Sequence, residues 1–177
     1  MLFIHSENQK GKPDYACFVL NLFLENSAEN GKLYLHLLPA TVYQSEVQIR
    51  VRYAETDQMG YVYYGNYGAY YEVARTEAFR QLGISYKEME AQGVMMPVLE
   101  LRCKYIRPAR YDDLLTVKLL LKEKPAGARI KFEYELYNEA AELLNVGETT
   151  MVFVNMESGR PTPIPAYIHQ KLDPYYT

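Results

Sequence analysis

The sequence predicts an α+β domain in which an antiparallel sheet of about five strands wraps around one long central helix. Five runs carry apolar side chains at every second position, the mark of a strand with one buried face. One run carries them at offsets of three, four and seven, the mark of one helix face. The order is one strand, the helix, then four strands whose connections are short and show no helical pattern, so these neighbours run antiparallel.

Residues 1–45 form an appendage of uncertain structure, because Lys10-Gly11-Lys12-Pro13 and the polar stretch Asn26 to Gly31 break two apolar runs, Tyr15 to Leu24 and Leu33 to Leu38. The main domain is expected over 46–165. Its first strand starts at Glu46, where Val47, Ile49, Val51 and Tyr53 alternate with Gln48, Arg50 and Arg52. A polar segment, Ala54 to Gly60, leads into the helix, expected from Asn66 to Leu82, with Tyr67, Tyr70, Tyr71, Ala74, Ala78 and Leu82 on its buried face. Asn66 is a good N-cap, Gly83 suits a left-handed stop, and Glu72 with Arg75 and Glu77 with Arg80 stand at ion-pair spacing on the outer face. The remaining strands centre on Leu99 to Tyr105, Leu115 to Leu121, Ile130 to Leu136 and Leu144 to Val154, separated by Pro108 to Asp113, Lys124 to Gly127 and Asn138 to Glu142. The helix is expected to cover the apolar face of each strand, which is the hot-dog architecture. Pro161, Pro163 and Pro165 close the domain, and 166–177 is a tail or short helix.

Composition narrows the function. Apolar residues make up 49% of the 177, enough for a core, and the formal net charge of -3 gives no broad attraction to nucleic acid or anionic lipid. Cys17 and Cys103 are too few for a disulfide framework, and with His5, His36 and His169 they give no ligand cluster at metal spacing. No run is long enough to cross a membrane as a helix. Tyr15 to Leu24 has the length of a secretory h-region, but Glu7 and Asp14 precede it, so a cytoplasmic location is expected. Tyrosine stands out: there are 18, with no tryptophan, and several crowd the stretch from Tyr61 to Tyr71.

That stretch lies within R-V-R-Y-A-E-T-D-Q-M-G-Y-V-Y-Y-G-N-Y-G-A-Y-Y-E-V-A, Arg50 to Ala74, where a Thr-Asp, a glycine three residues on, an aromatic pair and an Asn-Tyr fall at fixed offsets. It resembles the active-site segment of the 4-hydroxybenzoyl-CoA thioesterase family, and Glu72 to Glu77 resembles that family's acyl-CoA thioester hydrolase branch associated with the Tol-Pal system. The resemblance runs from about Val42 to Pro165. Two positions depart from it: Tyr61 stands where a small aliphatic residue is usual, and Tyr64 where the Tol-Pal branch usually has His.

By residue chemistry alone, Asp57 in a polar turn before a helix is either a turn bracket or an ionised carboxylate held by exposed N–H groups and the helix dipole. Such a carboxylate can act as base or nucleophile, and the same helix end can polarise a thioester carbonyl. The resemblance implies the catalytic role for Asp57, with the backbone N–H of Tyr64 as the carbonyl donor, and substrate contacts at Met59, Tyr63, Gly65, Asn66 and Tyr67. It implies an acyl-CoA substrate, no cofactor and no metal. Tyr63, Tyr64, Tyr67, Tyr70 and Tyr71 either line an acyl pocket or are core. A sister branch of hot-dog enzymes places its catalytic carboxylate on the helix at positions like Glu72 and Glu77, whose spacing here instead predicts surface ion pairs. Arg107, Arg110, Arg129 and Arg160 are candidates for the coenzyme A phosphates. A non-catalytic acyl-CoA sensor on the same fold is the alternative, and the Asp57 carboxylate speaks against it. An open sheet edge predicts pairing into a homodimer or homotetramer.

Overall fold

A computed structural model of the chain describes residues 28–29, 32–33 and 42–176. By its contacts the chain divides into 1–40 and 41–177. In the first unit, β1 (Ala28–Glu29) and β2 (Lys32–Leu33) form a two-residue antiparallel ladder. The apolar runs Tyr15 to Leu24 and Leu33 to Leu38, with Cys17, His5 and His36, otherwise lie outside the described residues.

In the second unit β3 (Tyr43–Arg50), β5 (Val98–Tyr105), β6 (Leu114–Leu121), β7 (Arg129–Tyr137) and β8 (Leu143–Val152) form a sheet in the order β3-β6-β7-β8-β5, antiparallel throughout. Period two sets its inner face: Leu115, Val117, Leu119 and Leu121 of β6 and Ile130, Phe132, Tyr134 and Leu136 of β7 are buried. Against it lies α1 (Tyr67–Gln81), whose predicted face, Tyr67, Tyr70, Tyr71, Ala74, Ala78 and Leu82, is buried as a set. The Tyr43 hydroxyl donates to the Ala78 carbonyl at 2.7 Å and Ser45 Oγ to Gln81 Oε1 at 2.8 Å, locking β3 to the helix.

The structure departs from the sequence expectations at several points. The first strand begins at Tyr43 and ends at Arg50, and the chain then tightens into a 3-10 turn, Tyr53–Glu55, so Tyr53 points outward at 79% exposure. Arg75 is not on the outer face with Glu72. It lies one helical turn past Tyr71, is 6% exposed, and its Nε donates to the Tyr86 hydroxyl at 2.9 Å. Desolvation works against its charge, but the Tyr86 and Tyr134 phenols beside it hold it ionised. Glu77 and Arg80 do pair. Of β5, expected to bury one face, only Cys103 is even partly covered, with Leu99 at 55% and Leu101 at 48% exposed.

Elements that the sequence did not announce fill the remaining connections. Ser85 caps α2 (Tyr86–Ala91), accepting from Glu88 N at 3.4 Å, and Met89 anchors that helix in the core. Next, β4 (Val94–Met95) pairs with β9 (Val154–Asn155). The C-terminal segment, expected as a tail or short helix, forms α3 (Ala166–Leu172), which buries Ile168 and Leu172. After it the Tyr175 ring meets Tyr43 edge-on at 4.9 Å.

Inside the domain an aromatic layer is built around Tyr71. Its ring stacks on Tyr134 at 4.4 Å and its hydroxyl donates to Asn145 Oδ1, while Asn145 Nδ2 donates to the Lys104 carbonyl at 3.1 Å. Gly147 makes room for it, because a Cβ there would land on the Tyr71 phenol.

Candidate active site

The turn that carries Asp57 is closed by main-chain bonds. Asp57 N–H donates to the Tyr61 carbonyl at 2.9 Å, Gly60 N–H to the Asp57 carbonyl at 2.9 Å, and Thr56 bridges to Val62. Gly60 sits at φ +75, a left-handed conformation that favours glycine, which is why the motif needs that residue three past the aspartate. Asp57 Oδ1 accepts the Met59 N–H at 2.9 Å, so Asp57 does bracket its own turn. One carboxylate oxygen is used in this way, and the side chain is only partly buried.

The chain then returns alongside the segment it came from. Tyr63 N–H and Asn66 Nδ2 both donate to the Glu55 carbonyl, each at 2.8 Å. Asn66 therefore ties the loop together and does not cap α1 with its side chain, a correction to the sequence expectation. A 3-10 turn, Tyr64–Asn66, leads into α1, and its first internal bond runs from Asn66 N–H to the Tyr63 carbonyl at 2.9 Å. The N–H groups of Tyr64 and Gly65, first in that helical run, have no main-chain acceptor among the described residues. Tyr105 of β5 braces the same place: its hydroxyl donates to the Tyr64 carbonyl at 3.1 Å, and its ring meets Tyr67 edge-on at 5.2 Å.

The predicted aromatic contacts divide. Tyr67, Tyr70 and Tyr71 are core, whereas Met59 at 70%, Tyr63 at 45% and Tyr64 at 64% exposure stand open around the loop. Of the candidate phosphate ligands, Arg110 lies over the Tyr61 ring, 5.1 Å from its centre, beside the Asp57 turn; Arg107 is paired with Glu142, Arg129 opens β7, and Arg160 lies in the turn after Asn155. Among the described residues no three His, Cys, Asp or Glu side chains converge as a metal requires. A depression of about 420 Å³ is lined by the charged side chains Arg102, Lys104, Lys122, Glu133, Glu135 and Glu148 and holds none of the predicted site residues.

Glu55 and Tyr105 were missed by sequence reasoning. Glu55 was legible in principle, since its carboxylate accepts the Arg52 N–H three residues back, the spacing of a helix-start box. Tyr105 was not, because its role depends on β5 lying beside the start of α1.

A five-stranded antiparallel sheet with one long helix across it, and a carboxylate turn entering that helix, define a hot-dog protein. The chain belongs to the thioesterase-like superfamily, whose family model matches residues 51–172. It is 38% identical over 117 residues to YneP of Bacillus subtilis (strain 168), whose name carries a provisional acyl-CoA thioesterase assignment; the match covers 66% of this chain and 84% of YneP. It is 33% identical over 120 residues to the acyl-CoA thioester hydrolase YbgC of Escherichia coli O6:H1, covering 68% of this chain and 89% of YbgC. Among solved structures, the DHNA-CoA thioesterase of Staphylococcus aureus superposes with a TM-score of 0.70 at 34% identity, covering 74% of this chain and 89% of that one.

Proposed function

We propose that this chain is an acyl-CoA thioesterase, hydrolysing an acyl-CoA to the free acid and coenzyme A, with Asp57 as the catalytic carboxylate. The observation that carries this proposal is the return of the loop onto Glu55, which sets the Asp57 turn against a helix start with uncommitted N–H groups. The Tyr64 N–H receives the carbonyl oxygen and stabilises the charge that grows on it, help worth roughly 3 to 4 kcal/mol per donor. Asp57 either takes a proton from water as it adds to the carbonyl carbon or attacks that carbon itself; in both routes the C–S bond breaks and the thiolate leaves to be protonated. Single turnover in ¹⁸O-labelled water that places an unlabelled Asp57 oxygen in the first product identifies direct attack, with water opening the anhydride at the Asp57 carbonyl. The decisive test is Asp57→Asn, expected to lower kcat at least about a hundredfold with the fold intact. Full activity in that variant rejects the role, and a wild type that binds acyl-CoA yet cleaves none makes the chain a sensor.

The proposed enzyme is at least a dimer. Val98, Leu99, Leu101, Tyr105 and Ile106 leave the β5 edge apolar, exposed and unpaired on one side, which a second copy covers by extending the sheet. Coenzyme A phosphates then lie near that boundary, with Arg110 the candidate nearest the Asp57 turn. A cytoplasmic location goes with this substrate.

A further inference from the structure

Glu55 makes more connections than any other residue of the loop. Its Oε2 accepts the Tyr70 hydroxyl at 2.8 Å and the Arg52 N–H at 2.8 Å, and its carbonyl accepts Tyr63 N–H and Asn66 Nδ2. One residue thus joins the turn before Asp57, the start of the helical run and the first turn of α1. Among the described residues Asp57 bonds only within its own turn, to Met59, Gly60 and Tyr61, so nothing in its own contacts fixes it relative to the helix. Tyr70 is 2% exposed, and burial together with the Glu55 carboxylate keeps its phenol protonated well above the usual range, so it stays a donor.

We propose that Glu55, clamped by Tyr70, is a positioning residue of the active site: it holds the Asp57 turn at a fixed distance from the Tyr64 and Gly65 N–H groups without touching substrate. The inference rests on the thioesterase proposal for its kinetic readout, and on main-chain geometry for the rest. Both side-chain bonds fall on a single oxygen, so the charge is dispensable and a carbonyl oxygen in its place suffices. The ion pair to Arg52 is long, at 3.5 Å, and the Arg52 side chain is 75% exposed, so losing it costs little. A catalytic carboxylate is not replaceable in this way, which separates positioning from chemistry.

The test uses the full chain with Tyr70→Phe, Glu55→Ala, Glu55→Gln and the double variant Glu55→Ala/Tyr70→Phe. Loosening a reacting group by a fraction of an ångström costs on the order of tenfold in rate. Tyr70→Phe and Glu55→Ala are therefore expected to lower kcat about tenfold or more with KM within about threefold, and the double variant to be no worse than the poorer single one. Glu55→Gln recovers most of the rate. Amide hydrogen exchange over residues 55–67 is expected to rise in Tyr70→Phe and to stay near wild type in Glu55→Gln. The clamp is overturned if Tyr70→Phe keeps full kcat and unchanged exchange, or if Glu55→Gln is as damaging as Asp57→Asn. Should Glu55→Ala fail to fold, Tyr70→Phe decides. If the wild type cleaves no acyl-CoA, the function proposal fails by itself, and the exchange pattern alone upholds or sinks the clamp.

Discussion

Tyr71 keeps its hydroxyl satisfied in the middle of the core because Asn145, itself fully buried, accepts from it, and that pairing exists only because position 147 has no side chain. Burying a hydroxyl without a partner costs on the order of 1 to 3 kcal/mol, so a small change at this glycine carries a large penalty. Gly147→Ala is expected to displace Tyr71 and destabilise the domain by roughly 1 to 3 kcal/mol, read as a fall of several degrees in Tm. An unchanged Tm would mean that the sheet moves aside at no cost. Arg75 teaches the complementary lesson about sequence. Its spacing from Glu72 suggests a surface pair, yet it stands four residues after Tyr71 on the same helix face, and its partner Tyr86 belongs to the next helix. Spacing along one helix did not reveal which charge the fold would take inside.

At the scale of elements, α1 and β5 explain each other. A helix of 15 residues is about 22 Å long and about 10 Å wide, while five strands at about 4.8 Å spacing span roughly 19 Å, so one helix cannot cover the whole inner face. It packs mainly on β3 and β6 and meets β5 through its N-terminal half, where Leu101 lies against Gly68, Tyr105 against Tyr67 and the Tyr71 hydroxyl against Cys103 Sγ. The apolar alternation of Leu99 and Leu101 is plain in the sequence; that it stays exposed in a single chain is not, because strand order is not written in any one strand. A second chain is expected there. Sedimentation of the wild type is expected to give at least twice the 20.6 kDa chain mass, with Leu101→Glu shifting it toward a monomer. A wild type at the single-chain mass at micromolar concentration would count against the pairing. The α1 face itself was legible residue by residue, because a run buried along one stripe obeys a local period, whereas the Glu55 cross-links join positions with no common period.

For the whole molecule, the unusual tyrosine content sets its response to alkali. Burial pushes the Tyr43 and Tyr86 phenols up to about 12, against about 10 in an unfolded chain. The folded form therefore holds these protons longer, so the stability they contribute is complete below pH about 10 and is lost as pH rises toward 12. A urea midpoint falling across that window, with a late-ionising class in the tyrosinate absorbance, is the expected result; a midpoint flat to pH 12 would contradict it. The candidate site and the family match both lie beyond residue 50, so removal of residues 1–42 is expected to leave turnover within a few fold. Loss of turnover in a truncated chain that still folds would place part of the site in the first unit.

The strand order has a further consequence in time. The two edges of the sheet, β3 and β5, come first along the chain, and its centre, β6, β7 and β8, comes last. A ribosome making this protein releases the tyrosine-lined helix and both edge strands before any strand that can pair with them exists. The late meander closes through short local turns, while the edges must be recruited back over long stretches of chain, and pairing at such separation is slow. Until the centre emerges, α1 has no complete sheet on which to lay its aromatic face, and the nascent chain is at its stickiest just before β6, β7 and β8 appear.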